Sequence, residues 1–182
     1  MISPSPADVP SPADFQRRIA DQYSRLQGDS TALFKEILTA AAVVGMDSAL
    51  AMLESCCLNK RMAWIKSHFN GPTPTDDTAV QTGFDWFYVK YLHVHLPGDG
   101  EVVDATPDRI ISRWWNPCPT LDACRKFGLD TRDVCRKAYH RPVDSFLQAI
   151  HPGLRFERNY HCLRPHTPCC EEIIHLVEPE ER

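Results

Sequence analysis

Between Arg113 and Leu176 the chain concentrates groups that can do chemistry. Six of its eight cysteines (Cys118, Cys124, Cys135, Cys162, Cys169, Cys170) and five of its eight histidines (His140, His151, His161, His166, His175) fall in this stretch. A thiol acts as a nucleophile once a neighbouring cation or base favours its thiolate. Arg113, Arg158, His140, His151, His161 and His166 are near enough in sequence to supply one or the other. Three of the thiols, Cys118, Cys135 and Cys170, fall at the ends of expected elements, where loops can bring them together. Of these, Cys118 lies between Pro117 and Pro119, which restrict the local backbone, and is the candidate nucleophile. The alternative is that Cys118, Cys135 and Cys170 with one histidine hold zinc or iron, the metals that thiolate and imidazole favour. No C-x-x-C is present and the gaps match no zinc-ribbon or finger spacing, so no metal or other cofactor is expected. His93 and His95, in the pattern HVH, form a further imidazole pair with no third ligand tied to them by spacing.

The elements that must position these residues can be read from hydrophobic period. Phe15, Ile19, Tyr23 and Leu26 recur at helical spacing, and Gly28 supplies a stop. Asp29, Ser30 and Thr31 can cap a second helix bearing Leu33, Phe34, Ile37, Leu38 and Ala41, which ends near Gly45. A third, opened by Asp47 and Ser48, carries Leu50, Leu53, Cys57, Leu58, Met62 and Ile65 as far as Asn70-Gly71-Pro72. Cys56 and Cys57 sit inside its apolar stripe and read as packing residues. A fourth helix is expected over 76–91. From Glu101 the period changes to two, predicting a hairpin of 101–106 and 109–115 with Pro107-Asp108 at the turn. Trp114 and Trp115 end that hairpin beside Cys118 and are candidate aromatic walls. Short helices follow, capped by Thr120 and opened by Pro142, and then strands over 154–163 and 172–177. Helices first and a sheet interrupted by short helices predict an α+β fold, N-terminal helices packed on a small antiparallel sheet.

A chain of 182 residues, 43% hydrophobic, is sized for one domain. Residues 1–12, rich in Pro, Ser and Ala, read as a mobile leader. Residues 13–182 read as a single domain with a helical part over 13–92 and a cysteine-rich sheet part over 100–178. The net charge of −4 and the scattered basic residues argue against nucleic acid. No run approaches the ~18 apolar residues of a membrane span, and the N-terminus lacks the basic and apolar regions of a secretory signal. A cytoplasmic protein with a small-molecule substrate is therefore expected, and a homo-oligomer is compatible with all of this.

Several motifs in order, Asn116-Pro-Cys118-Pro, Ala123-Cys-Arg-Lys-Phe-Gly128-Leu129, Val134-Cys135, Pro152-Gly-Leu154-Arg-Phe156-Glu-Arg158 and Cys169-Cys170 before an apolar strand, resemble the L-2-amino-thiazoline-4-carboxylic acid hydrolase family. The resemblance covers about residues 100–178. The turn His166-Thr-Pro168-Cys-Cys170-Glu171 departs from the family pattern. What the resemblance implies is a small-molecule enzyme of secondary metabolism, acting on a heterocycle with an amidine-like C=N carbon and a carboxylate, by hydrolysis or a related cyclisation or elimination. It implies Cys118, Cys135, Cys170 and His161 as catalytic candidates. Arg158, Arg113, Trp114 and Trp115 would contact substrate, with Arg158 gripping the carboxylate. A Cys/His metal-binding or ligand-sensing module without catalysis is the alternative.

Overall fold

The computed structural model describes residues 10–25 and 30–177. Helix α1 (Pro12–Ser24) starts ahead of Phe15, the first residue of its apolar stripe, because Ser11 and Asp14 close a reciprocal capping box. Ser11 Oγ accepts from the Asp14 N–H, and the Asp14 carboxylate accepts from the Ser11 N–H. Pro12, without an N–H, fits the first helical position. The leader up to residue 9, and Leu26, Gly28 and Asp29 at the expected helix end and cap, lie outside the described residues. Helices α2 (Thr31–Val44) and α3 (Met46–His68) meet at Gly45, whose φ of 85° lies where a side chain would be strained. Helix α4 (Asp76–Phe84) runs directly into a wide-turned π-helical segment, Asp85–Tyr91, so the expected span 76–91 is helical throughout.

Strands β1 (Gly100–Thr106) and β2 (Arg109–Trp114) form the expected hairpin. Helix α5 (Pro119–Phe127) follows, with Cys118 rather than Thr120 at its N-cap. A continuous helical stretch then comprises α6 (Thr131–Val134), a second π-helical segment (Cys135–Tyr139) and α7 (His140–Gln148). Pro142 therefore lies inside a helix rather than opening one. Its ring crowds the carbonyl four residues back and it donates no hydrogen bond. The widened turns immediately before it accommodate both defects. Strands β3 (Leu154–Asn159) and β4 (Cys170–Leu176) complete an antiparallel sheet in the order β1-β2-β4-β3.

The fold is α+β. Two boundaries differ from the expected 154–163 and 172–177. β3 stops at Asn159 because its side chain accepts from His161 N–H at 3.0 Å and its carbonyl from Cys162 N–H at 3.0 Å, turning the chain. β4 begins at Cys170, which pairs with Trp114 across β2.

Two buried clusters share α3. One joins Phe15, Ile19, Phe34, Ile37, Leu50 and Leu53 to Cys124 and Val134; the other joins Ile65, Phe84, Phe87, Phe146 and Leu147 to the inner face of the sheet. Each fully buried large side chain contributes ~1.5–3 kcal/mol. Gly83 lets α4 rest on the sheet. A Cβ there would lie 2.9 Å from Leu154 Cδ1 and 3.2 Å from Leu147 Cδ2, so Gly83→Ala would push these two buried side chains out of place.

Candidate functional site

The period of two in the sheet decides which side chains meet. On β2, Ile110, Ser112 and Trp114 are buried beneath the helices. On β4 the buried partners are Glu172 and Ile174, and on β3 they are Leu154 and Phe156, with Arg158 next on the same face. The register places Trp114 opposite Cys170 and sets Glu172 between Ser112 and Arg158.

Above this end of the sheet lies a cavity of about 350 Å³, at the small end of the ~300–1,000 Å³ typical of ligand pockets. Trp114, Arg158, Cys170 and Glu172 line it from the sheet. α3 contributes Arg61, the first π-helical segment Phe87 and Tyr88, and the second Cys135 and Tyr139. Cys118 enters from the start of α5 and Arg164 from the β3–β4 loop. Both π-helical segments of the fold thus border the same cavity, and such segments are frequent at functional sites.

The polar groups of the wall are unevenly paired. Arg158 donates to Glu172 Oε1 through Nε (2.8 Å) and Nη2 (2.5 Å), and Tyr88 Oη donates to Glu172 Oε2 at 2.6 Å. These side chains are almost wholly buried, so Arg158 and Glu172 form a neutralised pair in a low dielectric. Burial, with the Glu172 charge adding to it, holds the Tyr88 phenol far above its ordinary range. Arg164 donates to the Asn116 carbonyl (2.8 Å) and to Cys170 Sγ (3.4 Å). Arg61, 8% exposed, donates only a long 3.4 Å bond to the Tyr139 carbonyl, with its guanidinium over the rings of Phe87, Tyr91 and Tyr139. Three guanidinium groups therefore face one carboxylate across the cavity. Two N–H donors of its lining, Arg61 Nε and Arg158 Nη1, are buried without a partner among the described residues.

Burial favours the protonated form of Cys118 and Cys135. Burial raises Cys118; the N–H groups of Thr120 and Leu121 at the start of α5, and the Arg164 charge, oppose that shift without overcoming it. Burial pushes Cys135 up to about 11, with nearby Arg158 pulling the other way. Cys170 is the thiol of the three that accepts a guanidinium hydrogen bond. Cys56 and Cys57 lie in the helical core, away from the cavity lining, and burial pushes Cys57 up to about 11 and Cys124 up to about 12.

Of the residues singled out in the sequence, Cys118, Cys135, Cys170, Arg158 and Trp114 come together around this cavity. Three do not. Arg113 is one residue out of phase with Trp114, so it emerges on the opposite face of the sheet, where its Nε donates to Glu171 at 2.9 Å. Trp115 lies past the end of β2, 42% exposed, with its indole N–H on the Gly98 carbonyl. His161 sits exposed in the turn after β3. No histidine lines the cavity. His140 stands nearby, its Nδ1 3.2 Å from Tyr160 Oη and its ring tilted against Phe156; burial and then the Arg158 charge lower its pKa.

Among the described residues, no three His, Cys, Asp or Glu side chains are placed to hold a metal ion. His93 and His95 are both exposed.

Sequence reasoning missed Arg61, Tyr88, Arg164 and Glu172. The signal for Arg61 was there: it falls on the apolar stripe of α3, four residues after Cys57 and four before Ile65. Likewise Glu172 alternates with Ile174 on the inner face of its strand. No helix among the described residues is long and apolar enough to cross a membrane. Comparison of the chain with protein-family models, with curated proteins and with solved structures finds no match.

Proposed function

We propose that the protein is a small-molecule enzyme in which Cys118 attacks an electrophilic C=N carbon of an anionic heterocycle, as in hydrolysis of a 2-aminothiazoline carboxylate. The observation that carries this reading is one cavity lined by three thiols and an excess of guanidinium groups. A thiol nucleophile and cations for a carboxylate are what such a substrate needs. Cys118 has the position suited to attack, since α5 starts at it and the helix N-terminus favours the anion that develops on sulfur.

The resting thiol being protonated suits an amidine-like substrate, whose own nitrogen is a base. The sulfur adds to the C=N carbon while the π electrons move to the ring nitrogen, which takes the thiol proton. Collapse of the adduct breaks the ring carbon–sulfur bond; the exocyclic nitrogen restores C=N and its proton goes to the departing sulfur. Water then adds at the same carbon, the bond to Cys118 breaks, and the thiol is regenerated with a urea-type product. Tyr88, Arg158 and Glu172 form a fixed polar wall that orients the ring. Trp114, stacked on Tyr88 with centroids 4.4 Å apart, supplies an apolar surface that excludes water.

The test is turnover of 2-amino-thiazoline-4-carboxylate, followed by the appearance of the free thiol. Cys118→Ala should abolish it while leaving the unfolding midpoint within a few degrees. Full activity in a folded Cys118→Ala variant would remove the nucleophile role. The same loss on Cys170→Ala alone would transfer that role to Cys170.

A further inference from the structure

Arg158 is the residue whose sequence motif points to the substrate carboxylate, but its charge is already matched. Glu172 takes two of its donors, with side chains 9% and 10% exposed. Arg164 is half-buried and spends donors on the Asn116 carbonyl and on Cys170. Arg61 differs from both. It is more than nine-tenths buried, has no carboxylate within ion-pair distance among the described residues, and keeps Nε without a partner.

A cation removed from water without an anion is among the costlier things a fold can carry, and such groups persist where something later completes them. The three rings of Phe87, Tyr91 and Tyr139, with centroids 5.4–6.0 Å from its guanidinium carbon, offset part of that cost. One donor is spent on the Tyr139 carbonyl and Nε has no partner among the described residues, which leaves N–H groups of the guanidinium edge for a ligand.

We infer that Arg61, rather than Arg158, is the anchor for the substrate's negative charge, and that the group it takes is a planar carboxylate. A guanidinium presents parallel N–H bonds at its edge, and a carboxylate matches that fork in one plane. Arg158 is then a positioning residue: with Glu172 and Tyr88 it fixes the wall against which the ring lies, and Nη1 remains as one further donor. Arg61 sets the specificity, because a neutral ligand of the same shape would leave its buried charge unmatched. The inference rests on reading the cavity as a substrate site, but its test uses binding rather than turnover, so the two can fail separately.

The probes are thiophene-2-carboxylate, its carboxamide and inorganic phosphate, titrated by calorimetry and thermal shift into the wild type, Arg61→Met, Arg61→Lys and Cys118→Ala. Arg61→Met keeps the apolar stem under the three rings. It should melt at or above the wild type when ligand-free, since an unmatched buried charge is gone. The carboxylate should raise the wild-type midpoint and lose about tenfold to a hundredfold in affinity in Arg61→Met, the range for a charge-assisted hydrogen bond. Arg61→Lys should recover part of that loss, and Cys118→Ala none of it should show. Equal carboxylate binding in the wild type and Arg61→Met would overturn the assignment, as would carboxamide binding as tight as carboxylate, a preference for phosphate, or no carboxylate binding by the wild type. Should Arg61→Met not fold, Arg61→Lys decides: undiminished carboxylate affinity with a much lower midpoint would make Arg61 a structural residue. An inactive Cys118→Ala that binds the carboxylate normally would uphold the anchor, whereas a fully active one that also binds it would uphold the anchor and sink the nucleophile.

Discussion

Glu172→Gln isolates the charge of the buried pair while keeping the shape of the side chain. In the wild type one carboxylate accepts two bonds from Arg158 at 2.8 and 2.5 Å and one from Tyr88 at 2.6 Å. The amide can still accept from Arg158, but it carries no charge. Arg158 then becomes a further unmatched cation in a wall that already holds Arg61 and Arg164. Leaving one member of a buried pair uncompensated costs about 3–5 kcal/mol. Set against a total stability of ~5–15 kcal/mol, that is about a fifth or more of what holds a typical domain folded. At ~2–4 °C per kcal/mol for a chain of this size, the midpoint should fall by about 6–20 °C. Urea unfolding at pH 7 measures the loss directly, with an unchanged slope expected if only stability moves. The double variant Arg158→Met/Glu172→Met, apolar on both sides, should recover most of the stability, because the penalty lies in the unmatched charge. A Glu172→Gln protein within about 1 kcal/mol of the wild type would refute the reasoning, as would a double variant no better than the single one.

Other outcomes follow from the same structure. Cys135→Ala, on the second π-helical segment among buried neighbours, should lower the midpoint by a few degrees, about 1–2 kcal/mol, more than Cys118→Ala does; thermal melts of the two compare them. Because burial raises Cys57 and Cys135 from 9.0 to about 11, these thiols stabilise the fold fully below pH 9 and lose that contribution as pH rises toward 11. Urea unfolding at pH 7, 9 and 10.5 should show stability flat over the first interval and falling over the second. Cys162 Sγ and Cys169 Sγ stand 3.6 Å apart in the β3–β4 loop, so a small disulfide such as oxidised glutathione should convert them to an internal disulfide, releasing two reduced thiols, before it reaches Cys57 or Cys124. Peptide mapping after a brief exposure would read this, and a mixed disulfide persisting on either residue would contradict it.

The fold was readable where its elements have clean periods. The apolar stripe of α1 and the alternation along β2 carried the helical start, the β1–β2 hairpin and the class. The end of β3 was not readable. Tyr160, Cys162 and Leu163 continue an alternating pattern, and it is the Asn159 turn, a local side-chain choice, that overrides it. The same limit separates Arg113 from Arg158: both sit on strands, and only the phase against Trp114 and Glu172 shows that one faces solvent and the other the cavity. Cys135 reads in the sequence as the end of a short helix, where the backbone dipole would oppose a thiolate. It lies inside a continuous helical stretch, and burial is what keeps it protonated. Cys170 reads as flanked by repelling acids, yet Glu171 is on the far face with Arg113 and Asn159, and Glu172 is matched by Arg158. Arg61 lies more than fifty residues before the cysteine segment, so only the packing of α3 against the second π-helical segment brings it to the site.

The central claim is that Cys118 sits in a cavity that selects small anions. Iodoacetate and iodoacetamide test it most directly, since both alkylate a thiol with loss of iodide and differ by one negative charge. Limited reaction followed by peptide mapping gives the rate at each cysteine. Cys118 should react with iodoacetate at least about tenfold faster, relative to iodoacetamide, than Cys162 or Cys169 does in the same protein, a ratio equivalent to about 1.4 kcal/mol. Thiophene-2-carboxylate should protect it. Labelling of Cys118 with no preference for the anion, or of Cys162 and Cys169 while Cys118 stays unmodified, would contradict the account.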